Sequence, residues 1–249
     1  DARMMQEEGT NHFIDEFQAM REASGITDNN VFYDMRRKKT TVRTAEGDLK
    51  MTFREKLGLL LNIIDPDTRA ELLGGDSFAV QTKSGKKGKE RHLTQENIDA
   101  LLRREGMKFD GELDRMVYDI ADFFIQYAHT ELAPRVRDYL VRETGVNPIT
   151  GEAWWTRRRY QRRGSKSQLG AADKGYTIQG IMDLLKREGF QPESAAERDA
   201  LLEHLGFIKG RRTDASAPIL ISDGIQSAHN LVLQTNALVH MARPMARIR

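Results

Sequence analysis

Residues 110–127 read Asp110-Gly111-Glu112-Leu113-Asp114-Arg115-Met116-Val117-Tyr118-Asp119-Ile120-Ala121-Asp122-Phe123-Phe124-Ile125-Gln126-Tyr127, and this stretch decides the fold. Leu113, Met116, Val117, Ile120, Phe123, Phe124 and Tyr127 recur at steps of three and four over about four turns, which places them on one helix face. The stripe is wide enough to be the main core-facing element, and Asp110 is positioned to cap it. Leu132, Val136, Tyr139 and Leu140 extend the same spacing towards Thr144-Gly145.

Upstream, Thr94 offers an N-cap ahead of Ile98, Leu101 and Leu102, and Gly106 offers a stop. Phe53, Leu57, Leu60, Leu61 and Ile64 form another stripe, resuming from Thr52 and ended by Asp65-Pro66, because the residue before proline is pushed out of the helical region. Thr68 to Leu73 adds a short turn. Asn11 to Glu22 places Phe13, Phe17 and Met20 on one face, with Gly25 as the stop. Downstream, Thr177 precedes a pattern of Ile178, Ile181, Met182 and Leu185 that ends near Gly189. Ser194-Ala195-Ala196-Glu197 is a capping box opening a helix with Leu201, Leu202 and Leu205 that stops at Gly206. The last element starts at Ser222-Asp223-Gly224 and carries Ile225, Ala228, Val232, Thr235, Leu238, Val239 and Ala242, a narrow seam suited to close packing on another helix.

Two stretches break the helical rule. Arg36-Arg37-Lys38-Lys39 and Thr40-Thr41-Val42 interrupt it, and Gly74 to Lys89, with alternation around Phe78 and Val80, reads as a surface loop or a small two-stranded excursion. The fold expected is therefore all-α: an irregular multi-helix bundle with long polar loops and at most a small β-hairpin near residues 75–92. Its divisions are an N-terminal helical segment over 1–50, a central helical domain over 51–145, a Trp/Arg-rich connector over 146–176 and a C-terminal helical segment over 177–249.

Composition narrows the function. The 249 residues are 39% hydrophobic and 31% charged, against roughly 45–50% and 25% in an ordinary domain, so the core is thin. The formal net charge of +2 excludes a chain that coats nucleic acid as a polycation, and any basic function has to be local. The absence of cysteine excludes a disulfide scaffold, a thiolate metal site and a cysteine nucleophile. No run approaches the roughly 18 apolar residues that a membrane span needs, and the N-terminus shows no signal-peptide hydrophobic region. The chain starts Asp1-Ala2-Arg3 and ends Ala246-Arg247-Ile248-Arg249, which reads as part of a longer polypeptide or as a trimmed one.

Catalytic patterns are thin. His12, His92, His129, His204, His229 and His240 never fall at the paired spacing of a zinc hydrolase helix. Asp119 with Asp122, and Glu7 with Glu8, read as solvated pairs. Gly85-Lys86-Lys87-Gly88-Lys89 lacks the order of a phosphate-binding loop, and Ser24, Ser165 and Ser227 sit in no nucleophile elbow. No catalytic residue, metal ligand, cofactor or small-molecule substrate is assigned.

Binding chemistry is better marked. Trp154, Trp155, Arg157, Arg158, Arg159, Tyr160, Arg162, Arg163 and Lys166 gather both tryptophans and six cations within thirteen residues. Arginine beside aromatics anchors protein interfaces, and it also binds phosphates and stacks on bases. Packing of the tryptophans on the bundle, with the arginines paired to nearby acids, is the plainer alternative. A second group, Lys83, Lys86, Lys87, Lys89 and Arg91, reads as a solvated loop tip.

The order of these elements resembles part of the large polyvalent or internal virion (ejection) proteins of tailed bacteriophages, over roughly residues 45 to 245. The resemblance is carried by a helix from Glu46-Gly47-Asp48-Leu49 through Leu61, by Leu93-Thr94-Gln95-Glu96-Asn97-Ile98 and by the long helix from Leu113 to Tyr127. Thr144-Gly145, Tyr160 with Arg162-Arg163, Arg212, and Pro218-Ile219-Leu220-Ile221-Ser222-Asp223 leading to His240 complete it. The family's proline after the tyrosine is missing, since Gln161 follows Tyr160. The resemblance implies a structural role through assembly with copies of itself or with other virion proteins, in the virion and then in the host cell envelope or cytoplasm after ejection. It places any lytic transglycosylase or RNA polymerase activity elsewhere in a longer parent chain. The alternative is a nucleic-acid-binding module that contacts DNA through the Trp/Arg-rich patch.

Overall fold

The computed structural model describes residues 2–81, 87–102, 108–144, 218–236 and 239–240. The helices expected at Thr177–Gly189 and Ser194–Gly206, and the connector over 146–176, lie outside the described residues.

Helix α1 (Ala2–Ala23) ends as Gly25 takes a φ of 72°, which an L side chain adopts only with strain. Helix α2 (Asn30–Arg37) leads into an antiparallel ribbon of β1 (Lys39–Thr44) and β2 (Gly47–Thr52). Helix α3 (Phe53–Ile64) follows at once. Its start is fixed by reciprocal capping: the Thr52 hydroxyl accepts from the Glu55 N–H at 3.2 Å, and the Glu55 carboxylate accepts from the Thr52 N–H at 2.7 Å. Next come α4 (Pro66–Leu73), β3 (Phe78–Gln81), β4 (Lys87–Arg91) and α5 (Gln95–Leu102).

Helix α6 (Glu112–Tyr127) runs through a π-helical turn (Ala128–Leu132) into α7 (Ala133–Thr144). Pro134 has no N–H to give to the carbonyl four residues back, and the wider turn just ahead of it accommodates that break. Strand β5 (Ile219–Ile221) and helix α8 (Gly224–Asn236) follow.

The all-α expectation is overturned by five strands in two sheets among the described residues, which make the fold mixed α/β. The hairpin expected near residues 75–92 is present as β3–β4, but it belongs to a three-stranded sheet of order β4-β3-β5, in which β5 pairs parallel to β3. The β1–β2 ribbon was not expected. Its period of two is legible only once Thr40, Val42 and Thr44 are seen to point inward while Lys39, Thr41 and Arg43 point out. The helix that the resemblance implied over Glu46–Leu61 begins only at Phe53, with Gly47–Thr52 in a strand.

The core is centred on α3, where Leu57, Leu59, Leu60, Leu61 and Ile63 are buried around most of its circumference. One side receives α6 through Val117, Ile120 and Phe124; another receives α8 through Ala228, Leu231 and Val232. Helix α1 lies against α6 through an aromatic cluster: Phe13 meets Tyr127 edge-on at 5.1 Å between ring centroids, and Phe17 lies 5.2 Å from Phe124. Helix α3 and the start of α8 approach backbone to backbone. A Cβ on Gly224 would stand 2.6 Å from the Gly58 nitrogen, and one on Gly58 would overlap the Ser222 carbonyl oxygen.

Candidate functional site

All nine residues of the sequence-predicted patch, Trp154, Trp155, Arg157, Arg158, Arg159, Tyr160, Arg162, Arg163 and Lys166, lie outside the described residues, as do Lys83 and Lys86. Lys87, Lys89 and Arg91 belong to strand β4 and not to a loop tip.

Sequence reading treated Arg36-Arg37-Lys38-Lys39 only as an interruption, yet the fold makes a cationic surface of it. The last turn of α2 ends in Arg36 and Arg37, and the chain passes directly into β1. Alternation then sends Lys39, Thr41 and Arg43 to the exposed face of the ribbon, while Thr40, Val42 and Thr44 anchor the other face. On β2, Lys50 stands opposite Thr41 and Asp48 opposite Arg43. Both Lys50 and Asp48 are exposed. Arg36, Lys39, Arg43 and Lys50 form no ion pair with any described residue, whereas Lys38 pairs with Asp34 at 2.7 Å. Arg37 lies over the ring of Tyr33, 5.0 Å from its centroid, and donates to its hydroxyl at 3.0 Å. Tyr33 is 58% exposed, the most exposed large hydrophobic side chain among the described residues. A signal was present in the sequence: cations at alternate positions, Arg37, Lys39 and Arg43, running into a Thr-rich stretch, which a search for helical period passes over.

Acids bound this surface at both ends. Beyond Lys38 and Lys39, an open cavity of about 570 Å³ is lined also by Phe53, Leu113, Asp110 and Glu112. At the hairpin turn, Glu46 accepts from the His92 backbone N–H at 3.1 Å and contacts His92 Nδ1 at 2.5 Å. The His92 side-chain hydrogen bond, with the backbone one behind it, holds the Glu46 carboxyl down to about 2. The Ala45 N–H donates to the His92 carbonyl at 2.9 Å, so the ribbon's turn is clasped to the end of β4.

Two further polar contacts lie inside the fold. Lys56 on α3 and Asp114 on α6 form a buried ion pair, with the Lys56 Nζ 5.1 Å from the centroid of the Tyr118 ring. Arg135 on α7 donates to His240 Nε2 at 2.7 Å. A guanidinium only donates, so the accepting nitrogen is unprotonated; burial, followed by the Arg135 charge, lowers the His240 pKa. Among the described residues no group of three or more His, Asp or Glu side chains is arranged to hold a metal ion, and no helix is long and apolar enough to cross a membrane.

The arrangement offers positive charge on the polar, solvent-facing side of a ribbon whose other side is buried, which is chemistry for binding anions. No protein-family model, no curated protein and no solved structure matches this chain.

Proposed function

We propose that this chain is a structural region of an internal virion (ejection) protein of a tailed bacteriophage, packaged in the virion, delivered with the genome, and acting through assembly with copies of itself or with other virion proteins. The observation that carries the reading is the order of motifs along residues 45 to 245, from the stretch Glu46-Gly47-Asp48-Leu49 through Leu61 to Pro218-Ile219-Leu220-Ile221-Ser222-Asp223 and the final helix. The low hydrophobic content, 39%, supports it, because subunits of an assembly complete one another's buried surface. Ile14, Leu73 and Val141, exposed on three separate helices, are apolar surface that neighbours would cover. In this reading the protein resides in the virion and then in the host envelope or cytoplasm.

Light scattering and thermal melts of the purified chain over a wide concentration range test the proposal. Self-association is expected, with a melting temperature that rises with concentration. A monodisperse monomer whose melting is independent of concentration overturns it.

A further inference from the structure

We propose that the exposed face of the β1–β2 ribbon, together with the last turn of α2, is a docking surface for the phosphate backbone of a nucleic acid. This goes beyond the assembly reading and does not depend on it.

Charge is the first argument. Arg36, Arg37, Lys39, Arg43 and Lys50 face solvent on contiguous backbone, with Asp48 the one acid on the ribbon's exposed strand positions. Four of the five cations have no acidic partner among the described residues, and the fifth, Arg37, contacts only the neutral Tyr33. In a chain whose net charge is only +2, the unpaired Lys39, Arg43 and Lys50 on one face of the ribbon, with exposed Arg36 and Arg37 just before it in the chain, form a local positive field.

Geometry is the second. Alternate residues on a strand are about 6.8 Å apart and cross-strand neighbours about 5 Å, so Lys39, Arg43 and Lys50 form a staggered array and not a single point charge. A two-stranded antiparallel ribbon also has the width that the major groove of B-DNA admits. The array is held in place: Val42 and Met51 are 2% and 1% exposed on the inner face, and the Thr44 hydroxyl donates to the Gly47 carbonyl at 2.6 Å across the turn. Arg37 and Tyr33 add a stacked cation and aromatic at the rim, a pair able to take a base face.

Chemistry separates this occupant from a bilayer. A membrane-surface site joins cations to bulky apolar side chains that enter the lipid. The exposed ribbon positions are instead lysine, arginine, threonine and aspartate, and the apolar Leu49 is only half-exposed. Asp110 and Glu112 beyond Lys39 limit the footprint to a few phosphates.

The test is fluorescence anisotropy of the full chain with a labelled 20-base-pair duplex over a salt series. A Lys39→Glu, Arg43→Glu, Lys50→Glu variant is expected to bind at least about tenfold more weakly. Its log–log salt slope should be shallower by about 2.7, since each lost phosphate contact removes about 0.9. Asp48→Lys should tighten binding and steepen the slope, which keeps the proposal falsifiable if the triple variant folds poorly. Charge reversal at Arg157, Arg158 and Arg159 should leave the ribbon's contribution in place. Unchanged binding in both ribbon variants overturns the proposal, as does binding to phosphatidylserine vesicles without binding to the duplex.

Discussion

Lys56 Nζ and Asp114 Oδ1 lie 2.6 Å apart at the crossing of α3 and α6, with side-chain exposures of 7% and 6%. The other Asp114 oxygen accepts from the Asp110 N–H at 3.3 Å, so the carboxylate also ties down the entry to α6. Two charges are thus withdrawn from water at the centre of the fold, and each depends on the other for compensation. Removing one partner should be far worse than removing both. Lys56→Met is expected to cost about 3–5 kcal/mol, while Lys56→Met with Asp114→Leu should recover most of that loss. Urea denaturation of both variants decides it, and equal losses in the two would sink the idea.

The backbone approach of α3 to the start of α8 gives a second expectation. Gly58→Ala drives a methyl group into the Ser222 carbonyl, and Gly224→Ala drives one towards the Gly58 nitrogen and the Leu57 side chain. Backbone cannot step aside as a flexible side chain can, so each substitution should cost about 1–3 kcal/mol despite alanine's better helix propensity. A thermal shift assay should register both as clear losses in Tm, and neutral behaviour at either position would refute the contact.

Asp223 works at both ends of its carboxylate. Oδ1 accepts from the N–H groups of Ile225 and Gln226 at 3.0 and 3.2 Å, capping α8, and Oδ2 accepts from Arg54 at 3.0 Å. Asp223→Asn should keep most of the cap and weaken the bridge, whereas Asp223→Ala loses both, with the cap alone worth about 1 kcal/mol. Denaturant midpoints in the order wild type, Asn, Ala are expected; Asn and Ala at the same midpoint would show that the cap contributes nothing.

Acid should act on two contacts in separate ranges. Glu46 falls from its ordinary value of 4.5 to about 2, so its clasp on His92 contributes stability that is complete above 4.5 and lost as pH falls towards 2. His240 is shifted down from 6.5, so the unfolded chain takes up that proton first and stability falls as pH drops below 6.5. Glu46→Gln should flatten the lower part of the Tm-against-pH curve and His240→Gln the upper part. Both effects are small at such exposed or half-buried positions, and curves that superpose on wild type in either range would remove that contact from the account.

The helices were legible in the sequence wherever a stripe of large apolar residues ran for several turns, as from Leu113 to Tyr127 and from Phe53 to Ile64. Thr94 caps α5 as its side chain promised, accepting from the Asn97 N–H at 3.2 Å. Asp110 does not cap α6; Gly111 occupies that position with a φ of 103°, a conformation that only glycine takes freely. The ribbon escaped notice because its inward residues Thr40 and Thr44 are not apolar and its turn, Ala45-Glu46, lacks the usual Asn-Gly signature; the positive φ falls on Gly47. Strand β5 escaped because three residues are too few for any period, and its pairing partner lies far away along the chain. The cationic face was hidden for the same reason as the ribbon, since charge on alternate residues becomes a surface only once the strand is recognised.

The parallel pairing of β5 with β3 also sets a timetable for synthesis. Phe78 finds its neighbour Ile219 only after the ribosome has added more than a hundred residues, and α3 waits longer still for Leu231 and Val232. At about 5–20 residues per second, the nascent chain carries an uncovered β3 edge and an open flank of α3 for on the order of 10 s. Contacts so distant along the chain also slow folding once synthesis is complete. During that interval the N-terminal part is a natural client for a chaperone, and a fragment ending at residue 144 would remain in that state permanently.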